Sequence, residues 1–207
     1  MRFMRPSLKS LSSLAIAALT MMALPAKADL LLEPYIGVGA GTAKNTPFGV
    51  SGSYSDTMAG TTFGGRVGYA MPLLWFAADY SLSNGSYKNS EKPSGASSVD
   101  GTYTGSNLYA VVGVKVPLLQ AYAGYGLMNE LTLKKSVDEK FSGGTNFKLG
   151  AGFTGLPFVA LNLELLLNKY GKFKGAGGES DISSSSTAVT DAQSTTWMIT
   201  VSAPFRL

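Results

Sequence analysis

The chain has 207 residues, with 17 basic and 13 acidic side chains and neither cysteine nor histidine. Those two absences exclude disulfides, thiolate nucleophiles, Ser–His triads and metal sites of the His/Cys kind. The formal charge of +4 is carried by Arg2, Arg5, Lys9 and Lys27; the rest of the chain holds 13 bases against 13 acids, so no nucleic-acid partner is implied.

The first residues, "MRFMRPSLKS", are basic, and the apolar "LSSLAIAALTMMALP" leads to "AKA". A basic head, a short apolar middle and small residues at a cut site predict a cleaved signal peptide over residues 1–28, with one domain over residues 29–207. The longest later apolar run, "LPFVALNLELLLNKYG", is broken by Asn162, Glu164 and Asn168, so it is no membrane helix.

From Leu31 onward the sequence alternates at period two in eight segments, which predicts β-strands. The first sets Leu32, Ile36, Val38 and Ala40 against Glu33, Tyr35, Gly37, Gly39 and Gly41. The second sets Phe63, Val67, Tyr69 and Met71 against Gly64, Arg66 and Gly68. In the third, Leu74, Phe76, Ala78, Tyr80 and Leu82 oppose Trp75, Ala77, Asp79 and Ser81. In the fourth, Leu108, Ala110, Val112, Val114 and Val116 oppose Asn107, Tyr109, Gly113 and Lys115. The fifth, "LQAYAGYGLM", fits either phase, and Ala121, Ala123, Tyr125 and Leu127 are taken as its apolar face. The sixth sets Phe147, Leu149, Ala151 and Phe153 against Asn146, Lys148, Gly150 and Gly152. The seventh sets Val159, Leu161, Leu163, Leu165 and Leu167 against Ala160, Asn162, Glu164 and Asn168; its leucines recur at period two, which argues against a helix. The eighth carries Trp197, Ile199, Val201, Ala203, Phe205 and Leu207 on one face.

Each run matches the roughly 9–11 residues of a tilted membrane-crossing strand. Connections 2–3, 4–5 and 6–7 are short and built on Pro72-Leu73, Pro117-Leu118 and Gly155 to Pro157. Residues 42–57, 83–101, 129–143 and 171–194 are long, polar and rich in Ser and Gly, as solvated loops are. Short turns at one end and long loops at the other are the pattern of an outer-membrane barrel. Pro34, Pro72, Pro117, Pro157 and Pro204 all fall at the short-turn end, where no ladder hydrogen bond is lost.

The strand charges Glu33, Arg66, Asp79, Lys115, Lys148, Glu164 and Arg206 share their face with Gly, Asn, Ser or Thr. A soluble lipocalin-like barrel would turn that face outward and a membrane barrel would turn it inward. The small residues on it suit a narrow lumen, and Tyr69, Phe76, Tyr80, Phe147, Phe153, Trp197 and Phe205 suit interface girdles. On these features the chain resembles the small eight-stranded outer-membrane β-barrels of the OmpA/OmpX type. The resemblance covers the chain after the leader. It implies an all-β fold, an eight-stranded antiparallel up-and-down transmembrane barrel, with lipid around it. The last strand, "TTWMITVSAPFRL", looks like the signal read by the barrel-assembly machinery, although it ends on Leu207 with Phe205 two residues back.

Turn lengths set which inward charges meet. A two-residue turn at Pro72-Leu73 places Arg66 opposite Asp79, and a three-residue turn at residues 155–157 places Lys148 opposite Glu164. Glu33 and Arg206 are expected to meet where the first and last strands close, and Lys115 is left unpartnered. These side chains are read as structural ion pairs plugging the lumen, since eight strands leave room for little else. The glycine-rich "GVGAG" and "GGTNFKLGAG" lack the GK[ST] and helix of a phosphate loop. Asp79 and Glu164 serve as ion-pair partners rather than as a carboxylate-only active site. The sequence therefore points to a monomeric structural or surface-interaction barrel with no catalysis and no cofactor. A narrow channel or hydrophobic-solute conduit is the alternative, and a soluble periplasmic ligand-binding barrel a more distant one.

Overall fold

The computed structural model describes residues 28–49, 52–91, 100–135, 138–183 and 189–207. The leader expected over residues 1–28 therefore lies, but for Ala28, outside the described residues, as does Pro93. Five long strands come first: β1 (Asp29–Pro47), β2 (Tyr54–Ala70), β3 (Leu74–Glu91), β4 (Gly101–Val116) and β5 (Leu119–Lys134). Next come β6 (Glu139–Ser142), β7 (Thr145–Phe153), β8 (Ala160–Lys169), β9 (Lys172–Gly175) and β10 (Gly178–Asp181). The chain closes with β11 (Val189–Ser202) and β12 (Phe205–Arg206). Strands β1 to β5, β7, β8 and β11 pair in chain order, all antiparallel. Strand β11 then pairs with β1, closing an eight-stranded barrel.

The alternation decides the faces. Ile36, Val38, Phe63, Val67, Phe76, Val112, Leu149, Leu163 and Ile199 point out and are exposed, while Glu33, Arg66, Asp79, Lys148 and Glu164 are at most 3% exposed. Strand β5 takes the expected phase, with Tyr125 and Leu127 outward, and β8 is a strand throughout. A bulge between Leu108 and Tyr109 of β4 leaves Leu127 of β5 unopposed. Leu127 and Met128 both face outward, so the alternation resumes one residue later with Asn129 inside.

Two expectations need correction. The connection after β7 spans residues 154–159 instead of three, with Phe158 at φ 65°, whereas Pro117-Leu118 does form a two-residue turn, with Leu118 at φ 73°. The long polar connections are also much shorter than their composition suggests, because the strands run on into them. β1 to β5 are 16 to 19 residues long, well beyond the roughly 9–11 needed to cross a bilayer.

The added length forms a second tier with its own core. Tyr87, Tyr103, Leu131, Leu133, Phe141 and Tyr170 pack together inside it with Met58 and Val189. Its outward residues, Thr42, Lys44, Thr57, Ser86, Lys88, Thr102 and Thr104, are polar and exposed. In-and-out alternation continues, apart from the bulges at Leu127-Met128 and at Ser55-Asp56, but the chemistry of the two faces is exchanged. Water bathes the outside of this tier, so apolar side chains gain by turning inward. Side chains such as Tyr87 and Leu133 sit within polar text, so the composition of residues 83–101 and 129–143 conceals the strands.

Where the tiers meet, β6/β7 and β8/β9 are both interrupted. Gly144 sits there at φ 88°, and a Cβ on it would lie 2.0 Å from the Lys169 carbonyl oxygen. The Gly171 amide donates to Ser142 O at 3.1 Å across the break. Only glycine permits that close crossing in a left-handed conformation.

The exchange of faces makes a substitution test. Val112→Arg or Leu163→Arg places charge against lipid and is expected to lower unfolding free energy by about 2–4 kcal/mol. Thr104→Arg, outward on the upper tier, is expected to stay within about 0.5 kcal/mol. Urea titration of the lipid-reconstituted barrel measures both, and equal tolerance would contradict the assigned boundary between tiers.

Candidate functional site in the barrel lumen

Arg66 is opposite Glu33 on one neighbouring strand and opposite Asp79 on the other, so β1, β2 and β3 deliver three charged side chains to one level. Its Nη1 donates to Glu33 Oε1 at 2.7 Å and its Nε to Asp79 Oδ2 at 2.9 Å. Across the lumen its Nη2 donates to Tyr122 Oη at 2.9 Å and also reaches Glu164 Oε1. Lys148 Nζ lies 2.7 Å from Asp79 Oδ2 and 3.1 Å from Glu164 Oε2. That second oxygen has no aligned donor, so Lys148 serves it as a charge alone.

Hydroxyls occupy most of the other acceptor sites. Tyr35 Oη donates to Asp79 Oδ1 at 2.7 Å, Tyr122 Oη to Glu164 Oε1 at 2.6 Å and Ser202 Oγ to Glu33 Oε1 at 2.6 Å. The Arg66 guanidinium carbon lies 4.6 Å from the Tyr122 ring centroid and 4.9 Å from that of Tyr35. A cation held against ring faces and carboxylates in a water-poor space retains much of the attraction that water would screen.

Each ring lies over a glycine directly opposite it: Tyr35 over Gly64, Trp75 over Gly113, Tyr122 over Gly150. A Cβ on Gly150 would fall 2.1 Å from Tyr122 Cζ, and one on Gly113 2.3 Å from Trp75 Cε2. The lumen glycines are thus the floor on which the rings lie. Polar layers fill the space on both sides. Gln120 Nε2 donates to Asn162 Oδ1 at 2.7 Å on the turn side, and Tyr109 Oη to Asn168 Oδ1 at 3.3 Å on the loop side.

Of the seven sequence-selected charges, Arg66, Asp79, Lys148, Glu164 and Glu33 meet in this network. The two separate pairs are joined in one structure, and Lys148 stands opposite Leu166, not Glu164. The six-residue connection moves that register by two positions while the long Lys148 side chain still spans the gap. The expected Glu33–Arg206 contact is not made. Arg206 is opposite Leu31 and exposed, beyond the break at Ala203-Pro204, while Arg66 and Ser202 take Glu33. Lys115 is half-buried opposite Gln120 and makes no ion pair among the described residues. Tyr35, Tyr122, Ser202 and Thr200, whose Oγ1 donates to Glu164 Oε1 at 3.3 Å, were not singled out from the sequence. An aromatic residue facing glycine across a hairpin is the signal that would have found Tyr35 and Tyr122.

A closed barrel with an apolar outer band and a polar lumen defines an integral membrane protein of the outer-membrane type. The sequence matches the outer membrane protein beta-barrel domain over residues 13–205, and the chain belongs to that family. Its place is the outer membrane of the Gram-negative type, in contact with lipid. No curated protein matches the sequence. Among solved structures, the chain is similar to the attachment invasion locus protein Ail of Yersinia pestis, crystallised with the heparin analogue sucrose octasulfate. The two are 12% identical over 86% of this chain and 99% of that chain, with a TM-score of 0.53. The Neisserial surface protein A is 20% identical over 83% and 97%, with a TM-score of 0.47. OprG of Pseudomonas aeruginosa is 14% identical over 86% and 97%, at 0.49. Likeness at these identities speaks to the fold alone.

The network holds three carboxylates and two cations. Its members therefore differ in what their loss should do. Arg66→Met leaves Lys148 as the one cation among three buried carboxylates, with Glu33 unpaired, and is expected to cost about 3–5 kcal/mol. Glu33→Gln removes the surplus negative charge and keeps an acceptor for Ser202, so a loss below about 1.5 kcal/mol is expected. Urea unfolding of the two variants gives the comparison, and equal losses would refute the charge count.

Proposed function

We propose that the protein is a non-conducting, non-catalytic barrel that anchors an extracellular β-tier in the outer membrane. One observation carries this reading: Arg66, Asp79, Lys148 and Glu164, with side chains fully buried, bridge the lumen wall to wall. An ion would have to displace that network, and the apolar cluster around Leu133 and Phe141 lies above it. Glu33, Arg66, Asp79, Lys148 and Glu164 are engaged with one another at ion-pair distance, which supports a structural role for these five over a catalytic one. The polar exterior of the upper tier supports a surface-interaction role, with the tier as the displayed part. Insertion as a monomer by the barrel-assembly machinery, through the strand ending at Leu207, completes the reading.

Planar-bilayer recording tests it. The wild-type barrel is expected to show no steady conductance, and Arg66→Ala to show intermittent leakage. Steady ion-selective conductance from the wild type would replace this reading with the narrow channel.

A further inference from the structure

Lys115 and Arg206, the two strand charges left out of the lumen network, line one cavity at the short-turn end of the barrel. It has a volume of about 340 Å³ and is bounded by Pro72, Leu73, Val116, Pro117, Leu118 and Thr154 as well. Among the described residues, neither cation makes an ion pair. Among the described residues no carboxylate side chain lines the cavity: Glu33 is occupied by Arg66 and Ser202, and Asp29, opposite Ala70 on the same rim, is not part of the wall. A second feature is independent of charge. Thr154 Oγ1 is buried and has no hydrogen-bond partner. The backbone here is already satisfied, with Thr154 N donating to Leu118 O and Lys115 N to Leu73 O, both at 2.8 Å. What the cavity offers is therefore two cations, with an unpartnered hydroxyl in its wall that a turn of the Thr154 side chain would bring to a ligand.

We propose that this cavity binds the phosphate of an anionic phospholipid from the periplasmic leaflet, between Lys115 and Arg206. Two like charges sharing one cavity repel until an anion lies between them, and charge-assisted hydrogen bonds to phosphate oxygens are among the strong ones. Turned into the cavity, the buried hydroxyl of Thr154 supplies a further donor. The remaining wall selects a lipid over a free ion. Leu73 and Leu118 of the turns and Val116 on the outward face of β4 are 49%, 57% and 49% exposed beside the cations. A phosphodiester seated between the cations would leave its acyl chains running over these side chains into the membrane. Inorganic phosphate would leave that aliphatic wall unused.

The test uses the full barrel in detergent and native mass spectrometry, with phosphatidylglycerol, phosphatidylcholine and inorganic phosphate as probes. One phosphatidylglycerol is expected to stay bound under conditions that strip phosphatidylcholine. The double variant Lys115→Gln/Arg206→Gln is expected to lower that retention by about tenfold or more, as loss of two charge-assisted contacts requires. Lys115→Arg should preserve it. Thr154→Val keeps both charges and is expected to lower retention by a smaller factor, which gives a readout even if the double variant folds poorly. Heat-modifiable gel mobility reports folding of each. Equal retention of the two lipids would overturn the proposal, as would undiminished retention by a folded double variant. Displacement of phosphatidylglycerol by inorganic phosphate at equal concentration would overturn the lipid assignment and give the site to a free anion.

Discussion

The guanidinium of Arg66 sets the terms for the lower barrel. A buried cation is tolerable only if its donors are matched by acceptors at the right places. The charged acceptors come from three other strands: Glu33 on β1, Asp79 on β3 and Glu164 on β8. Each needs its own strand in one register, because a slip by a single residue would send the carboxylate into lipid. The ion pairs, the pairing of β1 with β2 and β3, and the wall across the lumen are therefore mutually dependent. The glycines fall into place by the same logic. Rings that lie flat on Gly64 and Gly150 bring Tyr35 and Tyr122 close enough to donate to Asp79 and Glu164. Exchanging Arg66 with Asp79 would not restore the arrangement, since the new carboxylate would meet Glu33 and the new cation would meet Lys148.

Above this level the same strands serve a different solvent. In β5, Gln120 and Tyr122 point into the polar lumen, and Leu131 and Leu133, after one bulge, point into an apolar core. The backbone pattern is the same in both halves. Only the medium outside changes, from lipid to water, and with it the side chains that belong inside. The lower tier is held largely by matched charge and hydrogen bonds, because lipid removes most of the advantage of burying apolar groups. The upper tier is held by hydrophobic burial, as in a soluble barrel.

That contrast explains what was legible in the sequence. Lumen and lipid faces of seven of the eight membrane strands could be read because polarity and periodicity agree there, as between Val112 outside and Tyr109 inside; in β5, small residues and tyrosines on both faces leave the phase open. The upper tier could not, since its strands are mostly polar and its core residues, such as Tyr87 and Phe141, occur singly. Register was legible where the turn is short and unambiguous, which fixed Arg66 against Asp79. It was lost at residues 154–159, where nothing in "TGLPFV" marks how many residues leave the ladder. Glu33 and Arg206 were matched by sign across the seam. The nearer constraint was that Glu33 already stands directly across β1–β2 from Arg66.

The two ends of the barrel are consequently unlike. At the loop end, the cluster of Tyr87, Tyr103, Leu133, Phe141 and Tyr170 fills the interior, so a polar solute would lose its hydration on entering and gain no partner. At the turn end, the inward face finishes in Lys115 and Arg206 beside an open cavity. Between them the charged network carries one more carboxylate than cation, while the mouth carries two cations. The fields of the two levels oppose each other across the Gln120–Asn162 layer. An anion approaching from the periplasm is drawn to the mouth and repelled by the level above. A cation that could enter the network is repelled at the mouth. That ordering of charge describes a barrel whose lumen is a structural core, with any exchange of ligand confined to its two ends.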